Sequence, residues 1–271
     1  MVRMKDVLKW IDSWAPFRYA ESWDNCGLQV GSLEAPADRI LVALDPSSAV
    51  LVEAKELGCR CVVTHHPLLL QPINSIRTDS WPGSAIMQAL VAGIGIIAAH
   101  TNLDSASEGT NVQLKKLLGL EAVEPLDPDE KYCREGQYSG MGLVGLLPGH
   151  CRLEELAGRL SGVLGQTAVR ITGDLGRQVS RVALCAGSGG SLLGKALASG
   201  ADVFITGDIK YHDARLAEEN GLAVVDVGHF ASEKLVLEPM GNFLRSKAKS
   251  EGTELEVFIS RSEKDPFTIV G

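Results

Sequence analysis

The stretch RILVALDPSSAVLVEAKELGCRCVVTHH, residues 39–66, decides the fold class. Its opening apolar run predicts a buried strand. Its middle part, 47–58, predicts an amphipathic helix with Ser47 or Ser48 as N-cap and Gly58 at its end. Its closing run predicts a second strand that finishes in two adjacent histidines. A strand, a helix and a strand in this order form a crossover unit, which favours parallel pairing.

The same alternation extends outward from this unit. A helix near 84–93 leads into a strand at 93–100, and an extended stretch rich in Pro and Asp, 121–137, then interrupts the pattern. Beyond it, strands and helices alternate again to the C-terminus, with one long helix predicted from Phe230 to about Lys247. We therefore predict an α/β protein with two interlinked lobes and mixed or mostly parallel sheets. Residues 1–125 and 226–271 form the first predicted lobe, and residues 126–225 form the second.

Composition narrows the function classes. The chain has 271 residues, 45% of them hydrophobic and 22% charged, with a net charge of -8, which are values of a globular protein. The acidic balance, with no basic run, argues against nucleic acid as a partner. The N-terminus is amphipathic rather than a secretory signal, and no apolar stretch approaches the roughly 18 residues of a membrane span. We expect a soluble, cytoplasmic protein without a membrane partner.

The histidines cluster at predicted strand ends. His65 and His66 end one strand, His100 ends another, and His229 ends a third. Ligands of parallel sheets bind beyond the carboxyl ends of strands, which is where these side chains fall. Asp104 and Glu233 lie four residues after His100 and His229, and the second of these pairs falls on the first turn of a predicted helix. The sequence thus offers imidazole and carboxylate ligands together.

This ligand chemistry suits zinc, iron, manganese or cobalt better than calcium. Three of these four histidines together with the two carboxylates already exceed the needs of one catalytic zinc, and two metals about 3.5–4 Å apart use them more naturally. A hydrogen-bonded polar cluster without metal is the alternative. The six cysteines include no CxxC pair, so we interpret them as buried thiols rather than zinc ligands.

Other motifs carry weaker signals. Asp208, Tyr211 and His212, in TGDIKYHDA, either orient a substrate and move a proton or cap a helix. GSGGS, residues 187–191, follows a strand, where it either cradles a phosphate or makes a tight turn. His150 follows Pro-Gly, and we expect it to be exposed and uninvolved.

Five motifs, in order along the chain, together resemble one family. They are ESWDNCGLQVG, VVTHHPLLL, AAHTNLDSASEGTN, TGDIKYHDA and VDVGHFASE, with RSEKDPF in the tail as a looser match. The chain resembles the dinuclear-metal family of GTP cyclohydrolase 1 type 2 homologues, also called the Ngg-interacting-factor-like family, in its short form. The resemblance implies a metal site between the two lobes, two divalent ions per subunit, and a ring-shaped homohexamer built as a trimer of dimers.

The resemblance also implies roles for single residues and for the whole protein. It makes His65, His66, Asp104, His229 and Glu233 the metal ligands, with His100 beside them. The implied reaction is attack of a metal-activated water on a nucleotide or related heterocycle, with His100, Asp208, Tyr211 or His212 as candidates for the acid or base. Two alternatives stay open: a metal-handling or adaptor protein without catalysis, and a dinuclear phosphoesterase or peptidase.

Overall fold

The computed structural model describes residues 1–128 and 140–269. The chain divides into two compact units: Met1–Leu103 with Val236–Lys264, and Asp104–Leu235 with Asp265–Gly271. The chain thus changes unit at 103/104 and 235/236, whereas the lobes predicted from the sequence change near 125/126 and 225/226. That lobe assignment stays a prediction.

The elements of the described residues are named here in chain order. The strands are β1 (Gly27–Val30), β2 (Arg39–Ala43), β3 (Cys61–Thr64), β4 (Gly95–Ala98), β5 (Glu121–Pro128), β6 (Gly140–Arg152), β7 (Arg170–Thr172), β8 (Gln178–Ser188), β9 (Val203–Gly207), β10 (Ala223–Asp226) and β11 (Glu256–Ile259). The helices are α1 (Met4–Trp14), α2 (Ser48–Glu56), α3 (Gly83–Ala92), α4 (Thr101–Asp104), α5 (Thr110–Leu118), α6 (Leu153–Leu164), α7 (Leu193–Ala198), α8 (Tyr211–Glu219), α9 (His229–Glu233) and α10 (Leu237–Ser250). Short 3-10 turns lie at Phe17–Tyr19, Gly190–Leu192 and Lys234–Val236.

The first unit contains a sheet of order β1-β4-β3-β2-β11. Strands β11, β2, β3 and β4 are parallel to one another, and β1 pairs antiparallel with β4 at one edge. The predicted crossover from β2 through α2 to β3 is confirmed. Ser47 is the N-cap of α2, because its side chain accepts the N–H of Val50 at 3.3 Å. Leu41, Val62 and Ile96, one from each of three adjacent strands, pack in one buried cluster.

The second unit contains a sheet of order β5-β6-β8-β9-β10-β7. Strands β8, β9 and β10 are parallel, and the outer strands pair antiparallel. Successive residues of β9 face opposite sides: Phe204 packs with Ala217 of α8, and Ile205 packs with Leu156 of α6. Helices therefore cover both faces of this sheet, as strands buried on both sides require. The predicted α/β class with mixed sheets is confirmed.

Three details of the sequence interpretation need correction. The stretch 121–137 does not simply interrupt the pattern, because Glu121–Pro128 forms β5; residues 129–137 lie outside the described residues. The long helix expected from Phe230 to Lys247 is two helices, α9 and α10, separated by a 3-10 turn. Pro239 explains the restart, since it lacks an N–H and is tolerated only in the first turn of a helix. Helix α5 was not predicted from the sequence.

Across residues 1–128 and 140–269, none of the helices combines the length and the apolar character that crossing a bilayer requires.

Candidate metal-binding groups

Three histidines of the first unit form one group, called here the triple-histidine group: His65, His66 and His100. Strand β3 ends just before His65, and β4 ends two residues before His100. Because β3 and β4 are adjacent and parallel, the three rings meet at one edge of the sheet. Each ring offers a nitrogen within 4.8 Å of the others, and the ring centroids lie 5.0 to 5.7 Å apart.

Each of these rings has its Nδ1 directed at an oxygen. His65 Nδ1 lies 2.9 Å from the carbonyl of Ala99, His66 Nδ1 lies 2.8 Å from Asp45 Oδ1, and His100 Nδ1 lies 2.9 Å from Asp24 Oδ1. Carbonyl and carboxylate oxygens accept hydrogen bonds, so Nδ1 carries the proton in all three rings. The nitrogen that a neutral ring then offers to a metal is Nε2.

Asp24 is a buried carboxylate that contacts one ring of the triple-histidine group, that of His100. Its side chain is fully buried, and its second carboxylate oxygen accepts the N–H and the hydroxyl of Thr101. Burial opposes ionisation, but the hydrogen bonds from His100 and Thr101 outweigh it and hold the pKa of Asp24 below its usual range. Asp24 is therefore an anionic acceptor that fixes the His100 ring. It lies in the motif ESWDNCGLQVG, but its role could not be predicted from the sequence.

Three residues of the second unit form another group, called here the carboxylate group: Asp104, His229 and Glu233. His229 and Glu233 are one turn apart on α9, and Nε2 of His229 lies 3.0 Å from Oε2 of Glu233. A carboxylate oxygen of Asp104 lies within 4.8 Å of one of Glu233. Both acids are buried, with 7% and 3% exposure respectively. The i,i+4 spacing noted in the sequence thus brings His229 and Glu233 together.

Asp208 supports the His229 ring from the neighbouring strand end. Its Oδ2 lies 2.8 Å from Nδ1 of His229, which repeats the arrangement seen in the triple-histidine group. Its backbone has a φ of 55°, a left-handed conformation that is uncommon for residues other than glycine. Strained backbone of this kind persists where surrounding structure imposes it, often at functional sites. Asp208 thus orients an imidazole, whereas Tyr211 and His212 lie exposed on the first turn of α8.

Asp104 is fixed by the residues that follow it in the motif DSASEGTN. Thr110 donates its hydroxyl hydrogen to Asp104 Oδ1 at 2.5 Å, and Asn111 donates to the Asp104 carbonyl at 3.0 Å. The Asn111 side chain also accepts the N–H of Ala186 at 2.8 Å, which ties α5 to β8. Burial raises the pKa of the Cys185 thiol, and the nearby Asp104 and Glu233 carboxylates raise it further. This thiol therefore stays protonated. Of the cysteines predicted to be buried thiols, Cys59, Cys61 and Cys185 are buried, Cys26 and Cys151 are only half-buried, and Cys133 lies outside the described residues.

Gly187, at the end of β8, makes room for the Glu233 carboxylate. A Cβ atom at this position would lie 1.9 Å from Glu233 Oε1 and 3.4 Å from His229 Nε2. The N–H of Gly187 donates to Ser232 Oγ at 2.9 Å, and the N–H of Gly189 donates to Thr206 Oγ1 at 2.9 Å. The GSGGS motif thus uses these amides internally, which favours the tight turn over a phosphate cradle.

The donor chemistry of both groups fits a divalent metal. The triple-histidine group offers imidazoles whose Nδ1 atoms are held, and the carboxylate group adds an imidazole and two buried acids. Nitrogen and oxygen donors without thiolate match zinc, iron, manganese or cobalt. His150 lies exposed within the bounds of β6 and is in neither group.

Comparisons with known proteins show which family and which solved structures the chain resembles. The model of the Duf34/NIF3 (NGG1p interacting factor 3) family matches residues 2–266. A protein of Clostridium perfringens named GTP cyclohydrolase 1 type 2 homolog is 34% identical over 274 residues, covering 99% of this chain and 100% of the relative. The crystal structure of Staphylococcus aureus protein SA1388 matches with a TM-score of 0.91 at 28% identity over 99% of both chains. A Bacillus cereus protein related to NIF3 shares the fold, with a TM-score of 0.93 at 24% identity over 99% of both chains.

Proposed function

The chain belongs to the Duf34/NIF3 family, and on that premise we propose that it is a dinuclear metal-dependent hydrolase of GTP cyclohydrolase type. The proposed ligands are His65, His66, Asp104, His229 and Glu233, drawn from both groups. The proposed ions are two per subunit, of zinc, iron, manganese or cobalt. One observation carries the proposal: the Nδ1 atoms of His65, His66 and His229 are held by oxygens, as in histidines that bind metal through Nε2.

The residues around the proposed ligands have separable tasks. Asp45 and Asp208 each hold one ligand imidazole in a fixed tautomer, and Thr110 holds the Asp104 carboxylate. Metals held by these ligands would supply a water of lowered pKa as the nucleophile for an electrophilic carbon of a nucleotide or related heterocycle. His100, whose ring is held by Asp24, is the described imidazole best placed to move a proton beside the ligands.

Activity with GTP tests this proposal directly. The protein is purified without chelator and without a nickel column, then loaded separately with Mn²⁺, Fe²⁺, Co²⁺ or Zn²⁺. We expect ring opening, measured as formate release and as a change in purine absorbance, with at least one of the metals. Turnover of GTP at the rate of a metal-free sample, with every metal bound, would contradict the cyclohydrolase assignment.

The two alternative functions can be distinguished by further assays on the same metal-loaded protein. Hydrolysis of phosphate esters, cyclic nucleotides or dipeptides, without ring opening of GTP, identifies a phosphoesterase or peptidase. Transfer of the bound ion to an acceptor protein, without turnover of any substrate, identifies a metal-handling protein. Either result contradicts the cyclohydrolase activity while leaving the proposed metal ligands in place.

We also propose that the chain assembles into the ring-shaped homohexamer of its family. The resemblance of the five sequence motifs to the family implies this assembly, and the chain belongs to that family. Light scattering coupled to size-exclusion chromatography is expected to give a mass about six times that of the 28.9 kDa chain. A monomer or dimer over the micromolar concentration range would contradict it.

A further inference from the structure

The tail motif RSEKDPF places a carboxylate at the end of strand β2. Both oxygens of Glu263 accept the N–H of Leu44, at 2.9 and 2.8 Å, and Oε1 also accepts the N–H of Asp45 at 2.7 Å. These two amides come directly after Ala43, the last residue of β2. A side chain from the end of the unit's sequence therefore satisfies the backbone where this strand stops.

The same short segment, Leu44 and Asp45, holds His66 at two points. The Leu44 carbonyl accepts the N–H of His66 at 2.8 Å, and Asp45 Oδ1 accepts the ring Nδ1–H at 2.8 Å. The side chain of Asp45 is 50% exposed, so packing restricts its rotamers only in part. The position of its backbone then decides whether its carboxylate reaches the His66 ring.

Before it reaches Glu263, the tail is hydrogen-bonded both to helix α2 and to strand β2. Glu53 of α2 accepts the N–H of Arg261 at 2.9 Å and the hydroxyl hydrogens of Ser260 and Ser262 at 2.6 and 2.8 Å. The N–H of Ser260 also donates to the Val42 carbonyl at 2.8 Å, which extends the pairing of β11 with β2. These contacts order a terminal segment that would otherwise fray, and they fix where Glu263 enters.

We propose that Glu263 is a positioning residue for the His66 imidazole, acting through the backbone of Leu44 and the carboxylate of Asp45. The inference rests on the proposed function, because it gives the tail a role only if His66 binds a metal. Groups that orient a ligand through its other nitrogen typically change metal affinity about 10–100-fold when removed. In this chain the orienting group is Asp45, whose backbone N–H is held by Glu263. Removing Glu263 is therefore expected to change metal affinity through Asp45.

The experiment is a double-mutant cycle on the full chain. Co²⁺ is titrated into metal-free wild type, Glu263→Ala, Asp45→Ala and the double variant, and binding is followed by visible absorption. We expect each single variant to weaken Co²⁺ binding about 10-fold. Because both residues act on the His66 ring, the fold-loss of Co²⁺ affinity in the double variant is expected to be smaller than the product of the two single fold-losses. A double variant that loses the full product would overturn the proposal.

Two further variants separate positioning from loss of structure. Glu263→Gln keeps an oxygen at the place of Oε1, which accepts both amides, so it is expected to bind Co²⁺ within about 3-fold of wild type. Glu34→Gln removes an exposed carboxylate of the same unit that pairs with Lys5, and is the matched control with unchanged binding. Binding by Glu263→Gln as weak as by Glu263→Ala would contradict the assigned role.

A measurement without metal keeps this inference distinct from the proposed function. The ¹⁵N spectrum of the His66 ring in the metal-free protein is expected to show the Nδ1–H tautomer, and a mixture of tautomers in Glu263→Ala. An unchanged tautomer together with unchanged Co²⁺ affinity would overturn the role of Glu263 and leave the metal assignment intact. Wild type that binds no Co²⁺ would instead overturn the proposed function.

Discussion

Replacing Glu233 by alanine is expected to leave the protein folded but to lower its bound metal from the proposed two ions per chain to one or none. The Glu233 carboxylate lies 3.0 Å from His229 Nε2 and within 4.8 Å of an Asp104 carboxylate oxygen. It is therefore the member of the carboxylate group that reaches both of the others. Loss of an outer orienting group costs about 10–100-fold in affinity, so loss of a ligand is expected to exceed roughly 100-fold. Elemental analysis after dialysis against buffered metal measures the outcome.

The corresponding change in the triple-histidine group is His66→Ala, with the same expected loss of metal. Two exposed residues serve as matched controls: Glu219→Ala at the end of α8, and His150→Ala in β6. Both controls are expected to keep full metal content and an unchanged mass in light scattering. Full occupancy in Glu233→Ala and His66→Ala would refute the ligand assignment.

The strand-end histidines were predictable because parallel strands gather their carboxyl ends at one edge of a sheet. His65 and His66 follow β3 and His100 follows β4, and the two strands are neighbours in the first sheet. Asp208 and His229 follow β9 and β10, which are neighbours in the second sheet. The residue type and the β-α-β alternation, both visible in the sequence, were sufficient to place each of these side chains.

The residues that orient the histidines were not predictable in the same way. Asp24 and Asp45 lie in loops, and Glu263 comes from a tail 218 residues beyond Asp45. No periodicity links a loop carboxylate to the ring that it contacts, since the contact depends on how the strands are ordered. The motifs around Asp24 and Glu263 were visible in the sequence, but their partners could be identified only from the fold.

Two elements, strand β5 and helix α5, could not be predicted because their local sequences are atypical of a strand and of a helix. Strand β5 carries Pro125 and Pro128, which argue against a strand in the middle of a sheet, yet β5 is the edge strand of its sheet, where proline is tolerated. Helix α5 begins at Thr110 after Gly109, in a stretch of small polar residues that is more typical of a loop. In both cases the position in the fold outweighs the local preference.

Replacing Gly187 by alanine is expected to disrupt the carboxylate group as strongly as removing Glu233. The new Cβ would lie 1.9 Å from Glu233 Oε1, a separation that real Cβ atoms do not tolerate, so the carboxylate must leave its place. The backbone of Gly187, with φ of 66°, adds a strain of about 1–2 kcal/mol for any residue with a Cβ. We expect loss of metal by elemental analysis and a lower midpoint in urea unfolding.

The variant Gly165→Ala separates the effect of backbone strain from the effect of displacing the Glu233 carboxylate. Gly165, at the end of α6 in the same unit, has φ of 67°, and no atom of the described residues lies within 4 Å of the place that a Cβ would take. It is therefore expected to lower stability by the same backbone strain of about 1–2 kcal/mol, with full metal content. Equal destabilisation of both variants, with metal lost only from Gly187→Ala, assigns the loss to the displaced carboxylate. Retention of both ions by Gly187→Ala would show that Glu233 binds no metal from its position beside Gly187, because the alanine methyl and the carboxylate cannot share that space.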